Sequence, residues 1–242
     1  MGAGQRSEQN GPRRHAKVLK PTRPLMQEDI ALSRFSPLPP LPAELPLFPL
    51  HTVLFPGGLL PLRIFEARYI DMVRACLRDQ TPFGVCLIER GNEVATADAP
   101  TVPVDVGCIA HIVECDMEQL GLLMIKVRGT QRFKVLSFDT TPDGLMRATV
   151  EPMGADVQDC KSELFDDCVG ALRRIVTTLG ARDDGYVPMA EPYEWNSPSW
   201  VANRLCELLP VPLKAKQKLM ELMDAGMRIE IVHRYMKQHH IL

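Results

Sequence analysis

No glycine in the chain is followed by lysine, and no Gly-x-x-x-x-Gly-Lys-Ser/Thr loop occurs. Phosphate cradling of the P-loop kind is therefore excluded. The sequence also lacks a Gly-x-Ser-x-Gly elbow and a His-Glu-x-x-His pair, the local signatures of α/β-hydrolase nucleophiles and zinc peptidases. Only seven serines are present, of which Ser7, Ser33 and Ser36 fall in the amino-terminal 43 residues. The seven cysteines form no Cys-x-x-Cys pair, and most sit in apolar runs such as Val85-Cys86-Leu87. They read as reduced core residues of a cytoplasmic protein. His111 and Glu114 are three apart in a predicted strand, so they point to opposite faces and cannot share a metal. These absences predict a protein that is not an enzyme, with no catalytic residues, no metal and no cofactor.

Membrane insertion is excluded by a different shortage. Leu45 to Leu62 is the longest uncharged stretch, but it contains Pro46, Pro49, Pro56, Pro61 and the pair Gly57-Gly58. A spanning helix cannot lose that many donors. The amino terminus has no apolar centre of a secretory signal either.

Hydrophobic residues make up 45% of 242 and charged residues 24%, a balance that allows a packed core. The net charge of −2 conceals an asymmetry. Residues 1–24 carry six Lys/Arg against Glu8, so the other 218 residues are net acidic. An acidic body lacks the clustered positive field that a nucleic-acid backbone requires.

Residues 1–43 end in Ser36-Pro-Leu-Pro-Pro-Leu-Pro42 and read as a disordered or extended Pro/Arg-rich tail. Residues 44–153 read as strands. Phe83–Ile88 is an apolar run bounded by Pro82 and Gly91-Asn92, and Val102, Val104 and Val106 alternate before Gly107, which suggests a bulge or bend. Leu123, Ile125, Val127, Phe133 and Val135 alternate with polar residues, and Thr141-Pro-Asp-Gly144 predicts a turn before Met146, Ala148 and Val150. Such short strands imply a closed antiparallel β-barrel that hides its edges. One helix interrupts it over 66–78, with Tyr69, Ile70, Val73 and Leu77 on its apolar face. After Met153 the period becomes helical. Helices are predicted from Leu164 to Gly180, from Pro198 behind a Ser197 cap, over 213–223, and over 225–238 behind an Asp224 cap. Residues 154–242 thus form a helical domain, and the fold class is α+β.

Lys126, Arg128, Arg132 and Lys134 share strand parity and could make a basic face for RNA or an acidic peptide; the plainer reading is a solvated sheet face. Tyr193, Trp195 and Trp200 surround the Ser197 cap and could anchor a partner or pin the long loop 180–197. Met117 and Leu120 lie in a predicted turn where tips are usually polar, and methionine repacks around varied partners.

Leu45-Pro-Leu-Phe-Pro-Leu-His-Thr-Val-Leu-Phe-Pro-Gly-Gly58, followed by Leu60-Pro-Leu-Arg-Ile-Phe-Glu-Ala-Arg-Tyr69, resembles the start of the Lon protease amino-terminal domain. Gly129-Thr-Gln-Arg-Phe133 is similar to that family's internal strand, and the helices around Lys216–Leu219 and Met227–Ile229 to its carboxyl-terminal ones. The resemblance implies a PUA-like barrel, a helical bundle and a role in holding polypeptide. It implies fold-specifying roles for Pro56, Gly57, Arg63, Phe65, Glu66, Arg68 and Tyr69. The expected function is a non-catalytic module for unfolded or apolar polypeptide segments, acting as a holder or as an adaptor to a protease or chaperone, and taking extended apolar segments in an exposed hydrophobic groove between barrel and helices. Met117, Leu120, Tyr193 and Trp195 are its candidate contacts. The alternative is an RNA-binding barrel using Lys126, Arg128, Arg132 and Lys134, against which the acidic body and the lack of an aromatic platform count.

Overall fold

Alternation of apolar and polar residues between 45 and 152 builds seven strands: β1 Leu45–Leu50, β2 Leu59–Ile64, β3 Phe83–Arg90, β4 Val102–Pro103, β5 Val106–Gln119, β6 Leu122–Thr140 and β7 Met146–Pro152. A single helix, α1 (Ala67–Asp79), is inserted between β2 and β3, and α2 (Ser162–Gly180), α3 (Pro198–Leu208), α4 (Leu213–Glu221) and α5 (Ala225–Gln238) follow the sheet. The computed structural model describes residues 41–93, 100–119, 121–183 and 185–242. The expected tail over residues 1–40, and Leu120, lie outside the described residues. Leu41–Leu242 form one compact unit, in which no described helix is long and apolar enough to cross a membrane.

The sheet is mixed. β7 joins β1 to β6, β5 joins β6 to β3, and β1 pairs in turn with β3. That last pairing is parallel, with Leu47 opposite Gly84 and Leu50 opposite Leu87, which corrects the expectation of a purely antiparallel sheet. A parallel pair needs a long crossover, and residues 51–82, carrying β2 and α1, supply it. β2 pairs antiparallel with the first half of β6 alone, Leu59 opposite Arg128 and Ile64 opposite Leu123. Gly107 is no bulge: it sits in register opposite Phe133, and the shift falls between Cys108 and Ala110.

Tyr69, Met72, Val73 and Cys76 form the buried face of α1. At 3.6 residues per turn, Ile70 and Leu77 lie about 80–100° round from Tyr69, so Leu77 is 44% exposed where burial was expected. Between sheet and helices runs a shared core in which Val53, Phe55 and Leu87 pack with Leu172, Trp200, Leu205 and Ile229. Two helix starts follow their capping residues. The Ser197 hydroxyl accepts from the Trp200 amide at 3.2 Å, and the Asp224 carboxylate from the Met227 amide at 2.9 Å.

Candidate functional site

The Pro56-Gly57-Gly58 turn is where the sheet meets α3. The Gly57 amide donates to the Gly129 carbonyl (2.8 Å), and the Gly129 amide donates back to Gly58 (2.9 Å). On its other side the Pro56 carbonyl accepts from Arg204 Nη2 at 2.9 Å and from Asn203 Nδ2 at 3.3 Å. Gly57 has φ +78°, and a Cβ on Gly58 would stand 2.1 Å from Glu207 Oε1. Gly57 supplies the left-handed backbone and Gly58 the close approach, and glycine is the residue that tolerates each. Arg204, fully buried, also donates to Glu207 (2.9 Å), and Lys216 Nζ donates to the Glu207 carbonyl (2.7 Å). Burial pushes the Glu207 carboxyl up to about 7 against the pull of Arg204 and Lys216.

A second buried ion network lies nearby in sequence terms on the same strand and helix. Asp156, its side chain 1% exposed, pairs with Arg132 of β6 and Arg228 of α5 and accepts from the Ser199 hydroxyl of α3. Arg132 also donates to the Met220 carbonyl at 3.0 Å and to Leu222 at 3.3 Å. Burial alone would raise the Asp156 carboxyl; hydrogen bonds from Arg228 and Ser199 outweigh it and hold the group below the usual carboxylate range. This network corrects the basic-face alternative. Arg132 does share parity with Lys126, Arg128 and Lys134, but the helices cover it, and Lys126 is paired with Glu114 at 2.7 Å.

The remaining motif residues gather at the start of α1. Arg68 pairs with Glu66 at 2.8 Å, donates to the Gly144 carbonyl at 2.7 Å, and lies 4.5 Å over the Tyr69 ring. Tyr69 packs on Phe48 at 4.2 Å between centroids, and burial pushes its phenol up to about 12. Arg63 is exposed and takes no part in the Glu66–Arg68 pair. Phe65 is 64% exposed; its ring lines a cleft of about 380 Å³ with Leu60, Leu62, Tyr69, His51 and Glu93.

A larger groove, about 510 Å³, opens between α4 and α5. Val211, Ala215, Leu219 and Leu222 form one wall, Ile231, Val232 and Tyr235 the other, and Cys206 and Leu209 the end of α3. Among the described residues, Lys218 is its only charged lining residue. Ile231 is 42% exposed, and Met227, one turn earlier on α5, is exposed as well. Sequence reasoning expected a groove between barrel and helices and missed this one, which lies among the helices alone. Its signal was the helical spacing 211, 215, 219, 222, which reads equally well as ordinary core.

Tyr193 and Trp195 are brought together with Trp200 at centroid distances of 5.4 to 5.8 Å, and Arg173 of α2 stacks on Trp195 at 4.8 Å. Both rings are half-buried against the helical core. Met117 is 53% exposed near the end of β5, away from that cluster in the sheet. Among the described residues no three His, Cys, Asp or Glu side chains converge as a metal site. Burial raises the thiols of Cys86, Cys108 and Cys206 and keeps them protonated.

Comparison with known proteins agrees with this arrangement. The substrate-binding domain of the ATP-dependent protease La (Lon) matches residues 44–238. The Lon protease of Anaeromyxobacter dehalogenans is 28% identical over 200 residues, 79% of this chain but 23% of that protein; the chain thus spans about a quarter of the curated relatives it matches. The crystal structure of a Lon N-terminal domain protein from Xanthomonas campestris is 32% identical, with a TM-score of 0.61, covering 78% of this chain and 96% of that one. The N-terminal domain of a Mycobacterium avium complex Lon protease shares the fold at 15% identity and a TM-score of 0.57, over 81% and 99% of the two chains. The chain belongs to the Lon substrate-binding domain family.

Proposed function

We propose that this protein is a non-catalytic polypeptide-binding module that holds unfolded or apolar protein segments or delivers them to a protease or chaperone. One observation carries the reading: in a member of the substrate-binding family, an apolar groove of about 510 Å³ stands open between two helices. Apolar surface left uncovered beside a well-packed core costs free energy unless something binds there. Met117, exposed on β5, and Tyr193 and Trp195 on the loop before α3 are read as secondary contacts. The strand pairing that returns to β1 supports a PUA-like barrel over 44–153, with a helical domain over 154–242. Seven free cysteines support a reducing, cytoplasmic setting.

The test is capture of a permanently unfolded protein, reduced and carboxymethylated lactalbumin, on the immobilised full chain. Retention of the unfolded form over the native form is expected, with no requirement for ATP and no cleavage. Equal retention of both forms, or degradation that survives removal of contaminating proteases, would overturn the reading.

A further inference from the structure

We propose that the α4–α5 groove takes an amphipathic helix with acidic flanks, presented by the bound polypeptide. The inference rests on the polypeptide-binding reading and specifies the conformation and charge of what enters the groove.

Conformation follows from the walls. Both are α-helices, whose backbone donors and acceptors are spent internally along their length, so the groove offers no row of free N–H and C=O groups to an extended strand. A segment pressed onto Ala215, Leu219, Ile231 and Val232 must satisfy its own backbone there, since an unpaired buried amide or carbonyl is costly. A helix does so by construction. Its apolar residues at i, i+3, i+4 and i+7 would lie between Ala215 and Leu219 of α4, flanked by Val211 and Leu222, and the stripe 227, 231, 235 of α5.

Charge follows from the rim. Lys218 lines the groove and is 78% exposed, sharing its ammonium with Glu221 at 2.7 Å. Lys214, Arg234 and Lys237 are exposed on the same two helices. Residues 210–242 hold six Lys/Arg against three Asp/Glu, whereas residues 44–209 hold fifteen against twenty-four. The groove therefore lies in a basic segment of an acidic body, with the exposed Lys218 ammonium at its edge, and favours ligand carboxylates beside the apolar stripe. The same argument disfavours this chain's own residues 1–24, which carry six Lys/Arg against one Asp/Glu.

Fluorescence anisotropy of the full chain with four synthetic peptides tests this. The first carries leucines at helical spacing with glutamate flanks, the second has lysine flanks, the third has a central proline, and the fourth is a scramble. The first should bind most tightly, and its affinity should fall with added salt. Ile231→Glu should weaken it about tenfold or more by placing a charge against the apolar stripe. Lys218→Glu, on an exposed side chain, should shift preference toward the lysine-flanked peptide even if Ile231→Glu proves unstable. Equal binding of the proline or lysine peptides overturns the proposal. So does displacement of the first peptide by one copied from residues 26–40, or self-association of the chain that Ile231→Glu abolishes, since either names another occupant. Capture of unfolded lactalbumin without binding of the first peptide defeats the helix inference alone; loss of both defeats the polypeptide-binding reading with it.

Discussion

Helices α3, α4 and α5 present two kinds of surface. Toward the sheet they meet it through buried charge: Arg204 and Glu207 over the Pro56-Gly57-Gly58 turn, and Asp156 between Arg132 and Arg228. Away from it, between α4 and α5, they leave aliphatic side chains with almost no polar group among them. Buried ion pairs are directional, so they fix how sheet and helices dock, whereas apolar contact is non-directional and tolerates different partners. Specificity of fold lies on the first surface, and room for varied ligands on the second.

The comparison breaks most readily at Asp156. Asp156→Ala leaves two arginines, one of them fully buried, facing each other without a counter-charge. A loss of about 3–5 kcal/mol is expected, read as a lower urea midpoint with an unchanged slope. A loss below about 1 kcal/mol would show that the docking of helices on the sheet rests on the shared apolar core instead.

Next comes a pair from the family motif, four residues apart and oppositely placed. Tyr69 is 4% exposed and stacked on Phe48; Phe65 is 64% exposed. Tyr69→Ala should cost roughly 3 kcal/mol by truncating a packed aromatic ring. Phe65→Ser should stay within about 0.5 kcal/mol, as surface changes do. If Phe65→Ser costs as much, its cleft is closed in solution and the ring is part of the core.

Much of this was legible in the sequence because it depends on local chemistry. Ser197 and Asp224 are capping residues followed by helical periodicity, and both caps form. Thr141-Pro-Asp-Gly144 turns the chain from β6 to β7, with the Gly144 amide donating to Thr141 at 2.8 Å. What escaped depends on long-range placement. The parallel β1–β3 pair joins segments over thirty residues apart, and alternation says which face a strand buries, not which neighbour it takes. Arg132 looked like one of four equivalent cations because parity carries no information about a helix arriving from residue 156 onward. The groove was hidden for the same reason: a helical stripe is identical whether a neighbour covers it or not.

A last effect, read as a pH dependence, separates the two carboxylates of the docking surface. Glu207 and Asp156 both face arginine, yet their titration is displaced in opposite directions. Burial dominates at Glu207 and carries it from its ordinary value of 4.5 to about 7, while hydrogen bonds from Arg228 and Ser199 prevail over burial at Asp156 and lower it. Between pH 4.5 and 7 the folded protein therefore holds a proton on Glu207 that the unfolded chain has released. By linkage, this group's contribution is intact below pH 4.5 and declines as pH rises through 7, by something on the order of 3 kcal/mol. Asp156 acts in the other sense: its contribution is present above its ordinary value of 3.8 and is lost as pH falls through its lower folded value. Glu207→Gln keeps the shape and an acceptor for Arg204 but cannot titrate. Urea midpoints taken from pH 5 to 8 should then decline less with pH than in the unaltered protein, leaving the acid limb below pH 4 unchanged. Parallel profiles for the two proteins would mean that Arg204 and Lys216 keep Glu207 ionised throughout, and that both carboxylates of the docking surface are governed by their partners and not by burial.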